Sequence, residues 1–210
     1  IFDKDGNKVE REIKISKLKS GQVSKGKYAH YMLKEIFEQP QAIRDTLESR
    51  ITKGSVLTSA FGHNAKAIFK NTKHIQIIAC GTSYHAGLVA KYWLEDIAKI
   101  PTHIEVASEY RYRNPVILDD TLFITISQSG ETADTLEALK AIKKRSKKIH
   151  TLTICNSAES SLTRESELTF LTHAGPEIGV ASTKAFTTQL VSLALLSVAI
   201  GKCHNQVSKQ

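Results

Sequence analysis

Two short segments place a glycine and several hydroxyl side chains directly after apolar runs that are typical of strands. The first segment is CGTS at residues 80–83, and the second is SQSGET at residues 127–132. Glycine permits positive φ angles and a close approach of the backbone to a ligand. A helix that begins there adds unpaired N–H groups and the positive end of its dipole. Both segments are therefore suited to binding an anion, and a phosphate group in particular.

The residue types in these segments narrow the class of phosphate ligand. The motifs GxxxxGK[ST] and GxGxxG are absent, which argues against a P-loop NTPase and against dinucleotide binding. Many hydroxyls without clustered Arg or Lys suit a phosphomonoester on a polyhydroxylated body, that is, a sugar phosphate. Serine and threonine are also ordinary helix N-caps, so a capping role for Ser129 and Thr132 stays open as the alternative.

The chain around these segments predicts a sheet that positions them. Five apolar runs alternate with helical patterns between residues 74 and 173, and they read HIQIIAC, THIEVAS, TLFITIS, IHTLTIC and ELTFLTH. Such alternation indicates βαβ units. The predicted fold class is α/β, a three-layer αβα sandwich with a mainly parallel five-stranded sheet. Ligands bind such sheets at the carboxyl ends of the strands, where CNSAESS at 155–161 and HAGPEIGVASTKA at 173–185 also lie.

Three regions are predicted along the chain. Residues 1–27 are polar, with a turn signal DKDG at 3–6, a weak strand pattern REIKI at 11–15 and a Gly/Ser/Lys-rich linker. Residues 28–204 form the main domain, which starts with a helical arm that Pro40 is expected to split into two helices. Residues 205–210 are expected to begin a connection to a further domain. Since the chain starts without Met, we expect a piece of a longer protein.

The composition favours a globular domain without a membrane span, a metal site or a nucleic-acid surface. The net charge is +8, but the basic residues are scattered, and the densest run, at 140–148, has no interleaved aromatic residues. The apolar stretch at 190–200 is shorter than a bilayer requires and predicts a buried helix. Three isolated cysteines and the lack of a secretory signal favour reduced thiols and a cytoplasmic location.

Four segments closely resemble the sugar isomerase (SIS) domain family, and they read ACGTSYHAG, SQSGETADT, NSAESSLTRESE and HAGPEIGVASTKAFTTQ. More narrowly, the chain resembles the first of the two SIS domains in the glutamine–fructose-6-phosphate aminotransferase family, because EIGVASTKAFTTQ occurs together with CGTS. KYAHYMLKEIFEQP is similar to that family's linker helix, and IFDKDGNKVEREIK is similar to the end of its glutaminase domain. The resemblance therefore covers nearly the whole chain.

The resemblance implies a role for each matching residue. Five residues would hold the phosphate group of the sugar, namely Ser83, Ser127, Gln128, Ser129 and Thr132. Thr82 would contact the sugar from the first segment, while Val180 and Ser182 would line the sugar pocket. The implied ligand is fructose 6-phosphate or glucosamine 6-phosphate. No cofactor is implied, and the implied assembly is a homodimer.

The resemblance also implies what the whole enzyme does. It would transfer ammonia from glutamine to fructose 6-phosphate and isomerise the product to glucosamine 6-phosphate. The groups for this chemistry would be a cysteine of the glutaminase domain, a carboxylate and a lysine beyond the first SIS domain, and a histidine lent by the partner subunit. All of them would lie outside this chain. The chain is therefore predicted to be a sugar-phosphate-binding half without catalytic residues.

Two other classes of function stay open at this point. A phosphosugar-sensing module of a regulator uses the same fold without catalysis, but it would follow a helix-turn-helix domain. A stand-alone phosphosugar isomerase would need a general base in this chain, and Glu177 is the least poor candidate. Near the sites, Glu131 is expected to face away from a phosphate, which it would repel. Lys184 is expected to form a structural ion pair, for which Glu177 is one potential partner.

Overall fold

The computed structural model describes residues 2–10 and 23–207 of the chain. It confirms the predicted αβα sandwich, in which a five-stranded parallel sheet lies between two layers of helices. The strands are β1 Ile51–Thr52, β2 Ser55–Val56, β3 His74–Ala79, β4 Thr102–Val106, β5 Thr121–Ser127, β6 Ile149–Cys155 and β7 Leu168–Leu171. Strands β1 and β2 form a separate antiparallel hairpin, and β3 to β7 form the sheet.

The helices lie between these strands and at both ends of the domain. They are α1 Tyr31–Leu47, α2 Ala65–Asn71, α3 Gly81–Trp93, α4 Ala107–Tyr110, α5 Ala133–Arg145, α6 Ser161–Glu165 and α7 Lys184–Cys203. A 3₁₀ turn at Thr58–Phe61 precedes α2, and a π-helical turn at Leu94–Ala98 extends α3. The predicted alternation of strands and helices is therefore confirmed.

The strand order reverses once within the sheet. The order is β4-β3-β5-β6-β7, and every neighbouring pair is parallel. The chain adds β4 on one side of β3 and then adds β5, β6 and β7 on the other side. The helices that follow β3 and β5 consequently pack on opposite faces, since α3 contributes to one apolar cluster and α5 to the other.

The strands form because both of their faces can be buried by helices. All seven residues of β5 are buried, as expected for a central strand of a parallel sheet that is covered on both sides. On one face, Ile77, Ile124 and Leu152 pack in the cluster that contains α2, α3 and α7. On the other face, Ile78 and Phe123 pack in the cluster that contains α4, α5 and α6.

Helix α1 continues through Pro40, so the predicted division into two helices is wrong. Pro40 has no N–H to donate to the carbonyl of Ile36, four residues earlier. The side-chain amide of Gln39 donates to that carbonyl instead, at 3.0 Å. Helix α1 also packs along α7. The side-chain hydrogen bond and the tertiary contact together favour one helix over two.

Helix α7 contains the apolar stretch at 190–200 and is a core helix of the domain. Within the described part of the chain, it is the one helix that is long and apolar enough to cross a membrane by length and composition, with a mean hydropathy of 1.5. However, Leu193, Leu196 and Ile200 are fully buried, and the helix packs against α1, α2 and α3. The prediction of a buried helix is confirmed.

The two ends of the chain are described only in part. The predicted turn at 3–6 is present, because the N–H of Gly6 donates to the carbonyl of Asp3 at 3.2 Å. The predicted strand REIKI at 11–15 lies outside the described residues. The domain boundary near Lys27 and the role of 205–210 as a connection stay predictions.

Gly87 provides a test of how closely α3 packs on the sheet. A Cβ atom at this position would lie 2.2 Å from Cδ1 of Ile104 and 3.1 Å from Cγ2 of Ile77. We predict that Gly87→Val lowers the free energy of unfolding by about 1–3 kcal/mol, because core side chains must shift to relieve the overlap. Urea unfolding measures this loss. The control is His85→Val at an exposed position of the same helix, and an equal loss there would contradict the packing argument.

Candidate functional site

The carboxyl ends of four neighbouring strands lie at one edge of the sheet. In the pairing register, Ala79 lies opposite Ile126, Ser127 lies opposite Cys155, and Cys155 lies opposite Leu171. The segments that follow β3, β5, β6 and β7 therefore start side by side. The segments after β3 and β5 leave the sheet where the strand order reverses, which is where open α/β sheets bind ligands.

The segment after β5, here called the SQSGET loop (residues 127–132), folds into a turn with internal hydrogen bonds. Ser127 Oγ accepts from the N–H of Gly130 at 3.0 Å and lies 2.9 Å from Thr132 Oγ1. Ser129 Oγ accepts from the N–H of Glu131 at 3.1 Å. The structure thus brings three of the hydroxyls that were predicted to bind phosphate into a single turn.

Exposure differs among the residues of the SQSGET loop. Ser127 is buried, Gln128 and Thr132 are half-buried, and Ser129 is exposed. Ser127 shapes the turn through its internal hydrogen bonds, whereas Ser129 is the most exposed of these four predicted phosphate contacts.

Gly130 allows the SQSGET loop to pack against the start of α6. Its φ angle is +70°, and a Cβ atom at this position would lie 2.1 Å from Oγ of Ser160. The carbonyl of Gly130 also accepts from the N–H of Leu162 in α6 at 3.1 Å. Glycine is required here for two separate reasons, the backbone conformation and the lack of space for a side chain.

Two acidic side chains near the loop are bound by other groups. The carboxylate of Glu131 accepts from the N–H of Ser161 at 2.7 Å, and hydrogen bonds from the side chain and backbone of Ser161 hold the pKa of Glu131 below its ordinary value. Asp134, in the first turn of α5, pairs with Arg111 at 2.6 Å. Glu131 is thus held by the N-terminus of α6, in line with the prediction that it turns away from a bound phosphate.

The helices that begin at this edge differ in how their N-termini are capped. Ser160 caps α6, and the carboxylate of Glu177 accepts from two backbone N–H groups at the start of α7. No side chain caps α3 or α5, whose N-cap residues are Cys80 and Thr132. The capping alternative for Thr132 is therefore wrong, because its hydroxyl contacts Ser127 instead. The N-cap residue of α4, Val106, also makes no side-chain capping hydrogen bond. Of these helices, α3 and α5 follow the two neighbouring strands between which the strand order reverses.

The CGTS segment forms the first turn of α3 directly after β3. Gly81 has a φ angle of +56°, and a Cβ atom there would meet no other heavy atom within 4 Å. Thr82 is exposed and Ser83 is buried. Since β3 and β5 are neighbours, these two predicted site residues lie at an uncapped helix start beside the SQSGET loop.

Val180 and Ser182 lie in a separate segment between β7 and α7. Val180 is fully exposed, and Ser182 donates to Oε2 of Glu177 at 3.0 Å. The other oxygen of Glu177 accepts from the N–H groups of Thr183 and Ala185 at 2.9 and 3.1 Å. Glu177 therefore both caps α7 and fixes the side chain of Ser182.

Lys184, the first residue of α7, is buried and forms an ion pair at 2.7 Å with the half-buried Glu38 of α1. The predicted structural ion pair is confirmed, but its partner differs from the one that the sequence suggested. Glu177 lies seven positions before Lys184, and its carboxylate is occupied by the start of α7. Glu38 is 146 positions away along the chain, so local sequence gave no signal for this pair.

Asn156 is a site residue that the sequence pattern did not single out. Its N–H donates to the carbonyl of Gln128 at 3.2 Å. Its side-chain oxygen accepts from the N–H of Ala174 at 2.8 Å and from the hydroxyl of Thr172 at 3.2 Å. Its side-chain amide donates to the carbonyl of Gly175 at 2.8 Å. Asn156 thus connects the segments after β5, β6 and β7. In the sequence, only its position directly after a predicted strand indicated that it could be a site residue.

The sequence profile of the SIS domain family matches residues 68–199. This region contains the whole sheet and the segments after β3, β5, β6 and β7. The chain belongs to the SIS domain family. Within this SIS domain, all eight site residues that were proposed from the sequence fall inside the matched region.

Two curated relatives of this SIS domain carry the same name. A glutamine–fructose-6-phosphate aminotransferase (isomerizing) of Idiomarina loihiensis is 56% identical over 210 residues, which are 100% of this chain and 34% of the relative. The enzyme of the same name from Pseudomonas putida is 58% identical over 202 residues, which are 96% of this chain and 33% of the relative. The chain thus spans about a third of the length of these curated relatives.

A solved structure agrees with the SIS fold. The C-terminal domain of glucosamine-fructose-6-phosphate aminotransferase from Francisella tularensis superposes with a TM-score of 0.85 and is 53% identical in sequence. The superposition covers 89% of this chain and 52% of that one. The arrangement of sheet and helices is therefore shared with a domain of known structure.

We predict that Gly130→Ala destabilises the SIS domain more than Gly81→Ala does. Both glycines have positive φ angles, so alanine costs about 1–2 kcal/mol of backbone strain at either position. At Gly130 the added Cβ also overlaps Ser160, whereas at Gly81 it meets no atom within 4 Å. Urea unfolding of the two variants compares them. Equal losses would show that contact with α6 is not the reason for glycine at 130.

Proposed function

We propose that this SIS domain binds the phosphate group and part of the sugar of fructose 6-phosphate or glucosamine 6-phosphate. The observation that carries the proposal is the pair of uncapped helix starts, α3 and α5, on either side of the reversal in strand order. A phosphate group at this position gains hydrogen bonds from backbone N–H groups and a favourable interaction with the helix dipoles.

The proposed contacts divide between the phosphate group and the sugar. Ser129 is exposed, and its oxygen already accepts from Glu131, so its hydroxyl proton is directed to a ligand oxygen. The phosphate group is proposed to contact Ser83, Ser127, Gln128, Ser129 and Thr132. The sugar is proposed to contact Thr82, Val180 and Ser182.

The proposal also covers the activity of the longer protein of which this domain would be a part. The names of the relatives support an aminotransferase that makes glucosamine 6-phosphate from fructose 6-phosphate and glutamine. In this proposal the groups that carry out the chemistry lie outside this chain, so the chain alone is expected to be inactive. A homodimer in the cytoplasm, working without a cofactor, belongs to the same proposal.

The two other classes of function have less support. A stand-alone isomerase would use Glu177 as its base, but the carboxylate of Glu177 accepts hydrogen bonds from Ser182 and from the backbone of Thr183 and Ala185. A carboxylate held in this way serves the fold of its own segment. A sensing module of a regulator has no support from the relatives reported above, which are named as enzymes.

Thermal melting with and without ligand tests the proposal. Fructose 6-phosphate is expected to raise the melting temperature, because a ligand that binds only the folded state adds about 2.7 kcal/mol at a hundred times its dissociation constant. Fructose without phosphate is expected to have no effect at the same concentration. Ser129→Ala is expected to weaken the response to fructose 6-phosphate.

Ser146→Ala serves as the matched control for this measurement. Ser146 lies after α5, before the amino end of β6, and its hydroxyl accepts from the N–H of Lys148. It is therefore at the opposite edge of the sheet from the SQSGET loop, and its loss should leave the response to ligand unchanged. Equal responses to fructose and fructose 6-phosphate, or no response to either, would count against a phosphate site in this domain.

A further inference from the structure

A carboxylate of α1 reaches the segment that carries Val180 and Ser182. Glu35 is only 2% exposed. Its Oε1 accepts from the N–H of Ile178 at 2.6 Å and from the N–H of Gly179 at 3.1 Å, and its Oε2 lies 3.2 Å from the same nitrogen of Gly179. Burying a carboxylate is costly unless hydrogen bonds satisfy it, and here the donors belong to one specific stretch of backbone.

The absence of a side chain at Gly179 leaves room for the carboxylate of Glu35. A Cβ atom at Gly179 would lie 2.5 Å from Oε2 of Glu35 and 3.4 Å from Cα of Met32. Any side chain at this position would therefore displace Glu35 from the backbone N–H groups. Glycine is therefore required at 179 because a side chain would not fit. Through this close approach, the EIGVAS sequence at 177–182 contacts α1 directly.

The same helix also holds the chain that follows this segment. Glu38 pairs with Lys184 at 2.7 Å, and Oε1 of Gln39 accepts from the hydroxyl of Thr187 at 2.5 Å. Glu35, Glu38 and Gln39 of α1 therefore bind the start of the segment 178–183 and the residues just after it. Between these two anchors lie Val180, which is fully exposed, and Ser182, which Glu177 holds.

We infer that Glu35 is a positioning residue of the sugar site. It holds the backbone at 178–179 so that Val180 and Ser182 are presented to the sugar, and it contacts neither the phosphate nor the sugar itself. This inference rests on the proposed function, because it assigns to Glu35 the placement of two residues that are proposed to contact the ligand.

The variant Glu35→Gln tests the inference with little change in shape. The amide is neutral, and its NH₂ group cannot accept from the backbone N–H groups, so charge-assisted hydrogen bonds are lost. The dissociation constant for fructose 6-phosphate is expected to rise about fivefold. That for inorganic phosphate is expected to stay unchanged, because the contacts of Glu35 are made to 178–179 and not to the SQSGET loop. Isothermal titration calorimetry on the 210-residue chain measures both constants.

Amide hydrogen exchange gives a second readout that does not depend on ligand. In the wild type, the N–H groups of Ile178 and Gly179 donate to Glu35 and should exchange slowly. In Glu35→Gln they should exchange faster, while the protection of β5 stays the same. A general loss of stability would instead raise exchange throughout the domain.

Two control variants distinguish the loss of the Glu35 contacts from two general effects, the removal of a negative charge and a loss of stability. Glu48→Gln removes an exposed carboxylate just after the end of α1 and should change neither dissociation constant. Ile149→Val removes one methyl group from the core at the amino end of β6 and costs about 1 kcal/mol of stability. It should leave the ratio of the two dissociation constants as in the wild type.

The outcomes distinguish this inference from the proposed function. A selective loss of affinity for fructose 6-phosphate in Glu35→Gln, with faster exchange at 178–179, supports both. Binding of fructose 6-phosphate that is equal in wild type and Glu35→Gln overturns the positioning role and leaves the proposed function standing. If the wild type binds neither ligand, the proposed function fails, and unchanged exchange at 178–179 would then also overturn the role of Glu35 in ordering the segment.

Discussion

The parallel pairing of β3 with β5 is the constraint on which the rest of the structure depends. The chain continues from β3 to one side of the sheet and from β5 to the other, so α3 and α5 start next to each other on opposite faces. The positive ends of two helix dipoles therefore meet at one edge of the sheet. At the pair β3–β5, the two neighbouring strands send their crossovers away from each other, β3 toward β4 and β5 toward β6.

Three carboxylates near this edge accept hydrogen bonds from backbone N–H groups of the protein itself. Glu131 binds the start of α6, Glu177 binds the start of α7, and Glu35 binds the backbone at 178–179. Each carboxylate thereby stabilises a loop and has its charge screened by hydrogen bonds. The N-cap side chains of α3 and α5 make no capping hydrogen bond, and Asp134 in the first turn of α5 pairs with Arg111. The resulting pattern leaves neutral donors, hydroxyl and N–H, where an external anion can bind.

Helix α1 contacts the segment between β7 and α7 even though it lies before the region that the SIS profile matches. That region begins at residue 68, whereas α1 ends at Leu47. The helix nevertheless packs along α7 and supplies Glu35, Gln39 and Glu38 to the segment between β7 and α7 and to the start of α7. The unit that shapes the segment between β7 and α7 is thus larger than the region that the SIS profile matches.

The sequence by itself determined the sheet, the helices and the position of the hydroxyl-rich loops. Parallel strands buried on both faces appear as continuous apolar runs, and residues at their ends can be read directly from local pattern. Tertiary structure alone decided the continuity of α1 through Pro40, the pairing of Lys184 with Glu38 and the junction at Asn156. These features depend on groups brought together from distant parts of the chain, or on a side chain that replaces a missing backbone donor. Local pattern carries no information about such partners, because their proximity exists only after the layers have packed.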